Sequence, residues 1–467
     1  MNGKLVQSIR EAIELSGLKS GMSISFHHHL RNGDYTLNRV MDEIASMGIR
    51  ELTLNASSIF DTHAPLEEHI LNRVVTKINT NYMSAALGHR ISEGIMDTPV
   101  DFRTHGGRPR DIALGITPID VAFIAAPTSD CAGNCSGKYG PSACGSLGYA
   151  FPDAMYAKKV IVITDNLVAY PMKGWSIPEI YVDYVVEVDA IGNPAGIVSG
   201  TTRITRDPVG LIMAETAVKV IQHSGLLKDG FSFQTGAGGA SLAAASFLKD
   251  VMLRDGIRGS FASGGITGYL VDMLGAGCFE SLMDVQCFDL KAVESIRTNP
   301  AHQEISAMQY ASPAAVSAVV DKLDVVILGA TEVDTDFNVN VHTDSNGMIM
   351  GGSGGHSDTA AGAKLAMIIA PLFRARLPIV TDRVSCISTP GSNIDVLVTQ
   401  RGVTVNPKNQ ELMLRLKDAG LPVIPIDELK TIAERITGKP DRISRSDRTV
   451  ANVIYRDGTL LDTIQSV

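Results

Sequence analysis

Ser16-Gly-Leu-Lys-Ser-Gly-Met-Ser-Ile-Ser-Phe26 is met again as Ser224-Gly-Leu-Leu-Lys-Asp-Gly-Phe-Ser-Phe233, with one residue inserted before the lysine. Further anchors follow in the same order. Gly48-Ile-Arg50 returns as Gly256-Ile-Arg258, and Ile119-Asp-Val-Ala-Phe-Ile124 as Leu323-Asp-Val-Val-Ile-Leu328, at offsets of 208 and 204. Asp130 lines up with Asp334, Asn134 with Asn338, and Gly145-Ser-Leu-Gly148 with Gly352-Ser-Gly-Gly355. Solenoid repeats run about 20–50 residues, so a period this long signals two tandem domains of one fold. The expected domains are residues 1–207 and 208–467. Two such α/β domains meet at a cleft, and clefts between domains favour ligands.

A chain of 467 residues exceeds one ordinary core, and the repeat selects two. Hydrophobic residues make up 45 % and charged residues 19 %, the balance of a globular protein. A net charge of −9 argues against a nucleic-acid surface or an anionic membrane. No apolar run reaches the roughly 20 residues needed to span a bilayer, and the first eighteen residues lack a signal-peptide core. A cytoplasmic enzyme is the expectation. Six cysteines without close pairing suit a reducing compartment. Cys131, Cys135 and Cys144 cluster as C-x3-C-x8-C, but no fourth metal ligand is evident, so no metal is expected.

Periodicity places a helix over Val6 to Leu15, a strand over Met22 to Phe26, a helix over Asn38 to Met47 and a strand over Leu52 to Asn55. Short Val- and Ile-rich runs such as Val160-Ile-Val-Ile-Thr164 alternate with helices, the mark of a mostly parallel sheet buried on both faces. Gly192 to Pro208 has no clear period and reads as the linker. The second half restarts with a helix over Val209 to His223 and closes with Val423-Ile-Pro-Ile426 and Asn452-Val-Ile-Tyr455.

Three glycine loops stand at expected strand ends of the second half: Gln234-Thr-Gly-Ala-Gly-Gly-Ala240, Ser263-Gly-Gly-Ile-Thr267 and Gly351-Gly-Ser-Gly-Gly-His-Ser-Asp358. Ligands of open α/β sheets bind at the carboxyl ends of strands, and glycine lets the backbone approach them closely. Gly236, Gly238 and Gly239 suggest a dinucleotide fingerprint, but Ser241 stands where G-x-G-x-x-G needs its third glycine. The remaining polar clusters are His27-His-His29 with Arg31, His63, His105-Gly-Gly-Arg108, and Glu332-Val-Asp-Thr-Asp-Phe-Asn-Val-Asn340. The histidine run with Arg31 follows an expected strand end, where an anionic substrate could be met. Asn338 and Asn340 point their amides to one face of an extended segment.

Ser25-Phe-His-His28, Asp61-Thr-His-Ala-Pro-Leu66, Gln234-Thr-Gly-Ala-Gly-Gly-Ala-Ser-Leu242, Gly264-Gly-Ile-Thr267, Glu332-Val-Asp-Thr-Asp-Phe-Asn-Val-Asn-Val341 and Gly352-Ser-Gly-Gly-His-Ser-Asp-Thr359 together resemble the citrate lyase alpha subunit. Asp284-Val-Gln-Cys-Phe-Asp289, Thr389-Pro-Gly-Ser392 and Tyr455-Arg-Asp-Gly458 are similar as well, so the resemblance runs from about residue 7 to 466. It implies two tandem CoA-transferase-like α/β domains. It implies exchange of acetyl for citryl on an acyl carrier protein or CoA thioester, without a tightly bound cofactor or metal. The implied partners are the beta (citryl thioester lyase) subunit, the gamma acyl carrier protein and citrate, in an oligomer.

Gly354 and Gly355 match the loop that resembles the transferases' oxyanion site, with Glu332 as an orienting carboxylate. His27, His28, Arg31, His63, Gly236, Gly238, Gly239, Gly264, Gly265, Thr267, Asn338, Asn340, His356 and Asp358 form the implied binding set. Arg31, Arg108 and Arg203 are the candidates for holding substrate carboxylates. Many CoA-transferases carry a nucleophilic Glu where this chain has Gly264-Gly-Ile-Thr267, which implies direct attack by citrate in a ternary complex. Citramalate in place of citrate, and an acetyl-CoA hydrolase or ordinary CoA-transferase, are the enzymic alternatives; a non-catalytic carboxylate sensor is the alternative from another class.

Overall fold

A computed structural model describes residues 3–198, 203–441 and 444–467; residues 199–202 of the expected linker lie outside the described residues. The first half supplies strands β1 (Leu5–Val6), β2 (Ser23–Phe26), β3 (Leu52–Ala56), β4 (Val75–Thr80), β5 (Val100–Phe102), β6 (Val121–Ala125), β7 (Lys159–Thr164) and β8 (Tyr184–Glu187). The second supplies β9 (Ser232–Thr235), β10 (Gly259–Ile266), β11 (Phe279–Cys287), β12 (His302–Glu304), β13 (Val325–Leu328), β14 (Leu365–Ile369), β15 (Val396–Thr399) and β16 (Gly402–Val405). A final hairpin is made by β17 (Thr449–Ile454) and β18 (Leu460–Gln465).

The strands form two large sheets, ordered β1-β8-β7-β6-β2-β3-β4-β5-β17-β18 and β12-β11-β10-β9-β13-β14-β15-β16. Every pair is parallel except the terminal hairpins β17/β18 and β15/β16. In each sheet the first long strand, β2 or β9, lies at the centre, and the chain builds outward from it on one side and then the other. Val325-Val-Ile-Leu328 and Ser23-Ile-Ser-Phe26 are buried at every residue, as strands covered by helices on both faces must be.

The same side-chain wiring closes both centres. Ser23 Oγ donates to the Pro118 carbonyl (2.7 Å) and accepts from Asp120 N (2.9 Å), while Asp120 Oδ2 accepts from Ser23 N (2.8 Å). Ser232 Oγ donates to the Lys322 carbonyl (2.8 Å) and accepts from Asp324 N (2.8 Å), while Asp324 Oδ2 accepts from Ser232 N (2.9 Å).

Three elements differ from the sequence expectation. The first helix starts at Ile9, with Ser8 Oγ accepting from Glu11 N, because Leu5–Val6 is drawn into the first sheet beside Val185–Val186. Val423–Ile426 is not a strand: Val423 makes one bridge to Val403, and Pro425 opens a helix over Ile426–Thr437. The last strands, expected in the second half, return to the first: β17 pairs parallel with β5 through Ala451–Val453 against Val100–Phe102.

Candidate active site

The carboxyl ends of strands from both parallel sheets meet, the position where open α/β sheets hold ligands. From the first half, β2 runs into His27–His29, β3 into Ser57, β4 into Asn81 and Tyr82, and β5 into Thr104 and His105. From the second come Gln234, the Ser263–Thr267 turn, Gln286, Tyr310 and the Gly351–Gly355 loop. The halves are joined by backbone: His105 N donates to the Gly354 carbonyl (2.8 Å), and Gly354 N donates to the Asn81 carbonyl (3.1 Å). Gln286 Nε2 also donates to the His28 carbonyl (2.8 Å).

His28 is at the centre. Its Nδ1 lies 2.6 Å from Ser57 Oγ, and its ring stands 4.6 Å from that of Tyr149 and 5.7 Å from that of His105. Burial, then the neighbouring His105, holds His28 well below the ordinary imidazole range; burial does the same for His29. His105 is pushed down to about 3 by burial and by Arg108. These rings are therefore neutral hydrogen-bonding groups at ordinary pH. His29 Nε2 and His105 Nδ1 are buried with no partner among the described residues.

Arg31 supplies the charge. Its Cζ lies 4.7 Å over the Phe288 ring of the second half and 5.4 Å over the Phe60 ring of the first. Among the described residues no carboxylate pairs with it, and one terminal nitrogen is buried without a partner. Burial lowers its pKa, but a guanidinium stays protonated. Arg31 also holds a φ of 51°, a left-handed conformation that is rare for a side chain of this size. An unpaired, half-sunken cation among neutral polar rings is suited to an organic anion.

The Gly354–Gly355 loop joins this site from the second half. Gly354 has φ +51°, and a Cβ there would lie 3.3 Å from His105 Nε2. A Cβ on Gly355 would fall 2.7 Å from the Tyr310 hydroxyl. Gly354 N is taken by Asn81, whereas Gly355 N donates to no acceptor among the described residues. Gly355, more than Gly354, is thus the available N–H of the pair.

The family model of the citrate lyase alpha subunit (CitF) matches residues 2–467. The chain belongs to the citrate lyase alpha subunit family. It is 50 % identical over 464 residues to the citrate lyase alpha chain of Klebsiella pneumoniae, covering 99 % of this chain and 91 % of that one. Against the Escherichia coli (strain K12) citrate lyase alpha chain the identity is 48 %, over 99 % of this chain and 91 % of the relative. The crystal structure of the citrate lyase alpha subunit from Streptococcus mutans, in complex with citrate, superimposes with a TM-score of 0.98 at 49 % identity, covering 100 % of this chain and 92 % of that one. The malonate decarboxylase alpha subunit of Acinetobacter baumannii shares the fold, with a TM-score of 0.69 at 17 % identity over 93 % of this chain and 88 % of that one.

Within this citrate lyase alpha family chain, several motif residues are committed to the protein itself. His27 Nε2 stands 2.9 Å from Asp153 but outside hydrogen-bond geometry, while Asp153 takes both terminal nitrogens of Arg108 at 2.8 and 2.7 Å, so Arg108 is not an open anion site. His63 accepts from Phe60 N at Nδ1 (3.1 Å) and meets Asp34 at Nε2 (3.0 Å). His356 uses Nδ1 with Thr389 Oγ1 (2.8 Å) and Nε2 with the Gly329 carbonyl (2.9 Å). Asp358 accepts from Thr104 Oγ1 (2.8 Å) and Gly106 N (2.9 Å), tying the second half to the first.

Glu332, the expected orienting carboxylate, is also held by hydrogen bonds within the chain. Its carboxylate accepts from Asn340 Nδ2 (3.0 Å), Ser385 N (2.8 Å) and Ser385 Oγ (3.2 Å), and none of its hydrogen bonds reaches His28, Arg31 or Gly355. It lines a separate cleft of about 650 Å³ with Arg383, Arg445 and Asp462. Asn338 donates to Asp334 Oδ2 (3.1 Å), as Asn134 does to Asp130 Oδ2 (2.9 Å), so this pair shapes a loop. The Arg203 side chain is exposed, and its carbonyl would be 3.0 Å from a Cβ on Gly239.

The other glycine positions follow β9 or lie in β10. Gly236 and Gly238 have no neighbour nearer than 3.7 Å to an added Cβ, so nothing in the chain itself requires glycine there; approach of a ligand would. A Cβ on Gly264 would strike the Gln234 amide at 2.7 Å, and one on Gly265 the Phe288 ring at 2.2 Å. Thr267 Oγ1 is buried without a partner among the described residues. Tyr149 and Tyr310 carry no sequence signal: one lies in a loop and the other in a five-residue helix, without periodicity to mark it.

Proposed function

We propose that this chain is the transferase of citrate lyase, exchanging acetyl for citryl on a CoA-type thioester carried by an acyl carrier protein. The observation that carries it is the pairing, in one cleft, of an unpaired Arg31 for a carboxylate with an uncommitted Gly355 N–H for a carbonyl oxygen. A citrate carboxylate oxygen attacks the acetyl thioester carbon, and the oxygen of that carbon takes the negative charge beside Gly355 N. The carbonyl re-forms as the thiolate leaves, giving an acetyl–citryl anhydride. The thiolate then attacks the citryl carbonyl, and acetate departs with the electron pair of the cleaved C–O bond. Pre-organised donors at such an oxyanion are worth on the order of 10²–10³ in rate.

Direct attack is supported by what surrounds the thioester position. Gly264 and Gly265 carry no nucleophile, and the acid that follows the Gly354–Gly355 loop in sequence, Asp358, has both oxygens occupied by Thr104 and Gly106. Arg31, His28, His29 and His105 would receive the carboxylates, while Gly236, Gly238 and Thr267 leave room for the thioester arm. The beta lyase subunit and the gamma carrier protein are the partners this reading requires. Among the described residues no helix is long and apolar enough to cross a membrane, and all six cysteines are free, which supports work in the reducing cytoplasm. Incubating the full chain with acetyl-CoA or acetylated carrier and isotopically labelled citrate tests the reading. Labelled citryl thioester and acetate, with no acyl adduct on the protein, is the expected result; a covalent adduct or no exchange with either donor overturns it.

A further inference from the structure

The exchange just proposed leaves a second donor to the thioester oxygen unassigned, and a directed chain of hydrogen bonds ends where that donor belongs. Ser263 Oγ donates to Gln234 Oε1 at 3.0 Å. With its oxygen so occupied, the Gln234 amide turns Nε2 to the Tyr310 hydroxyl, to which it donates at 2.8 Å. The Tyr310 oxygen is therefore an acceptor toward Gln234 and keeps its own proton, which no acceptor among the described residues takes. That hydroxyl lies against the Gly354–Gly355 loop, 2.7 Å from where a Gly355 Cβ would be. Gly355 N, the other donor at this place, is likewise uncommitted.

We propose that the Tyr310 hydroxyl is a catalytic donor of the acyl exchange, meeting the thioester oxygen together with Gly355 N–H, and that Ser263 and Gln234 aim it. The inference rests on the exchange reading above. Tyr310 transfers no proton; it donates one hydrogen bond, which strengthens as the carbonyl oxygen becomes an oxyanion in each tetrahedral intermediate. Burial raises its pKa far above that of an ordinary phenol, so the proton stays in place at every working pH.

The relay also gives Gly264 a reason to be glycine. Its φ of +100° lies at the irregularity where β10 shifts register against β11, and any Cβ would strike the Gln234 amide. A glycine at this position leaves the space through which Gln234 reaches Tyr310.

Tyr310→Phe in the full chain tests the proposal. The kcat for exchange should fall by about 10²–10³-fold, with the KM for citrate unchanged. Binding of S-ethyl-CoA, a thioether with no carbonyl, should also be unchanged. Gln234→Glu, whose carboxylate would capture the Tyr310 proton, should lower kcat comparably, and the double variant should lose little more. In infrared difference spectra, the carbonyl band of bound ¹³C-acetyl-CoA should sit lower with the wild type than with Tyr310→Phe. A kcat within about threefold of wild type, or a loss matched by weaker S-ethyl-CoA binding, would overturn the proposal. Absence of exchange in the wild type would overturn the exchange reading instead, and the carbonyl band would still decide whether Tyr310 meets the oxygen.

Discussion

Arg31 is the residue on which substrate binding turns. It stacks between Phe60 and Phe288 with no carboxylate partner among the described residues, so its hydrogen-bonding capacity is free for one from a ligand. Charge-assisted bonds of this kind contribute about 1.5–3 kcal/mol. Arg31→Gln should therefore raise the KM for citrate about 10–100-fold and leave the KM for the acyl donor within about twofold, as steady-state kinetics with each substrate varied would show. Equal weakening of both would place Arg31 on the donor side. The histidine run shows how far such residues are legible. Alternation along extended chain sends neighbouring side chains to opposite sides. His28 accordingly reaches Ser57 and Tyr149, while His27 faces Asp153. Sequence marks the cluster but not which ring faces the cleft, since that depends on Asp153, more than a hundred residues away.

At the scale of elements, the serine and aspartate that close each sheet's centre do equivalent work. Ser23 and Ser232 are buried, and truncating either leaves a backbone N–H of Asp120 or Asp324 and a carbonyl without a partner. Ser23→Ala and Ser232→Ala should each cost about 1–2 kcal/mol in denaturant unfolding, and the costs should add because the sites share no partner. A cost confined to one variant would show that the two centres are not equivalent. Both serines lie in the stretch that recurs in sequence, Ser16 to Phe26 and Ser224 to Phe233, and both aspartates lie in a second recurring run. In the Val423–Ile426 run Pro425 removes a donor, which spoils a strand but suits a helix start. The return of Thr449–Gln465 to the first sheet had no local signal at all. Its apolar run fits either sheet edge, and only the free edge of β5 decides.

For the whole molecule, the buried imidazoles make folding depend on pH in one direction. Burial holds His28 and His29 well below the ordinary range, His356 at about 4, and His105 and His342 at about 3. Their folded values lie below the unfolded value near 6.5, so the unfolded chain binds more protons as pH falls. Their contribution is zero above that value. The loss starts as pH drops through 6.5 and grows until it passes the folded values. Each such histidine contributes about 1.4 kcal/mol per pH unit, so together they remove on the order of several kcal/mol between pH 6 and 5. Asp358 acts oppositely: burial raises it to about 6 against Arg456, Gly106 and Thr104, so it adds stability as pH falls from there toward the ordinary carboxylate range. One carboxyl cannot offset five imidazoles. The melting temperature should therefore be flat from pH 8 to 7 and fall steeply between 6.5 and 5, and Asp358→Asn should steepen the fall by removing the opposing group. A melting temperature level down to pH 5 would mean that these rings take up protons within the fold, and that the cleft then presents cations rather than neutral donors to the carboxylates of its substrate.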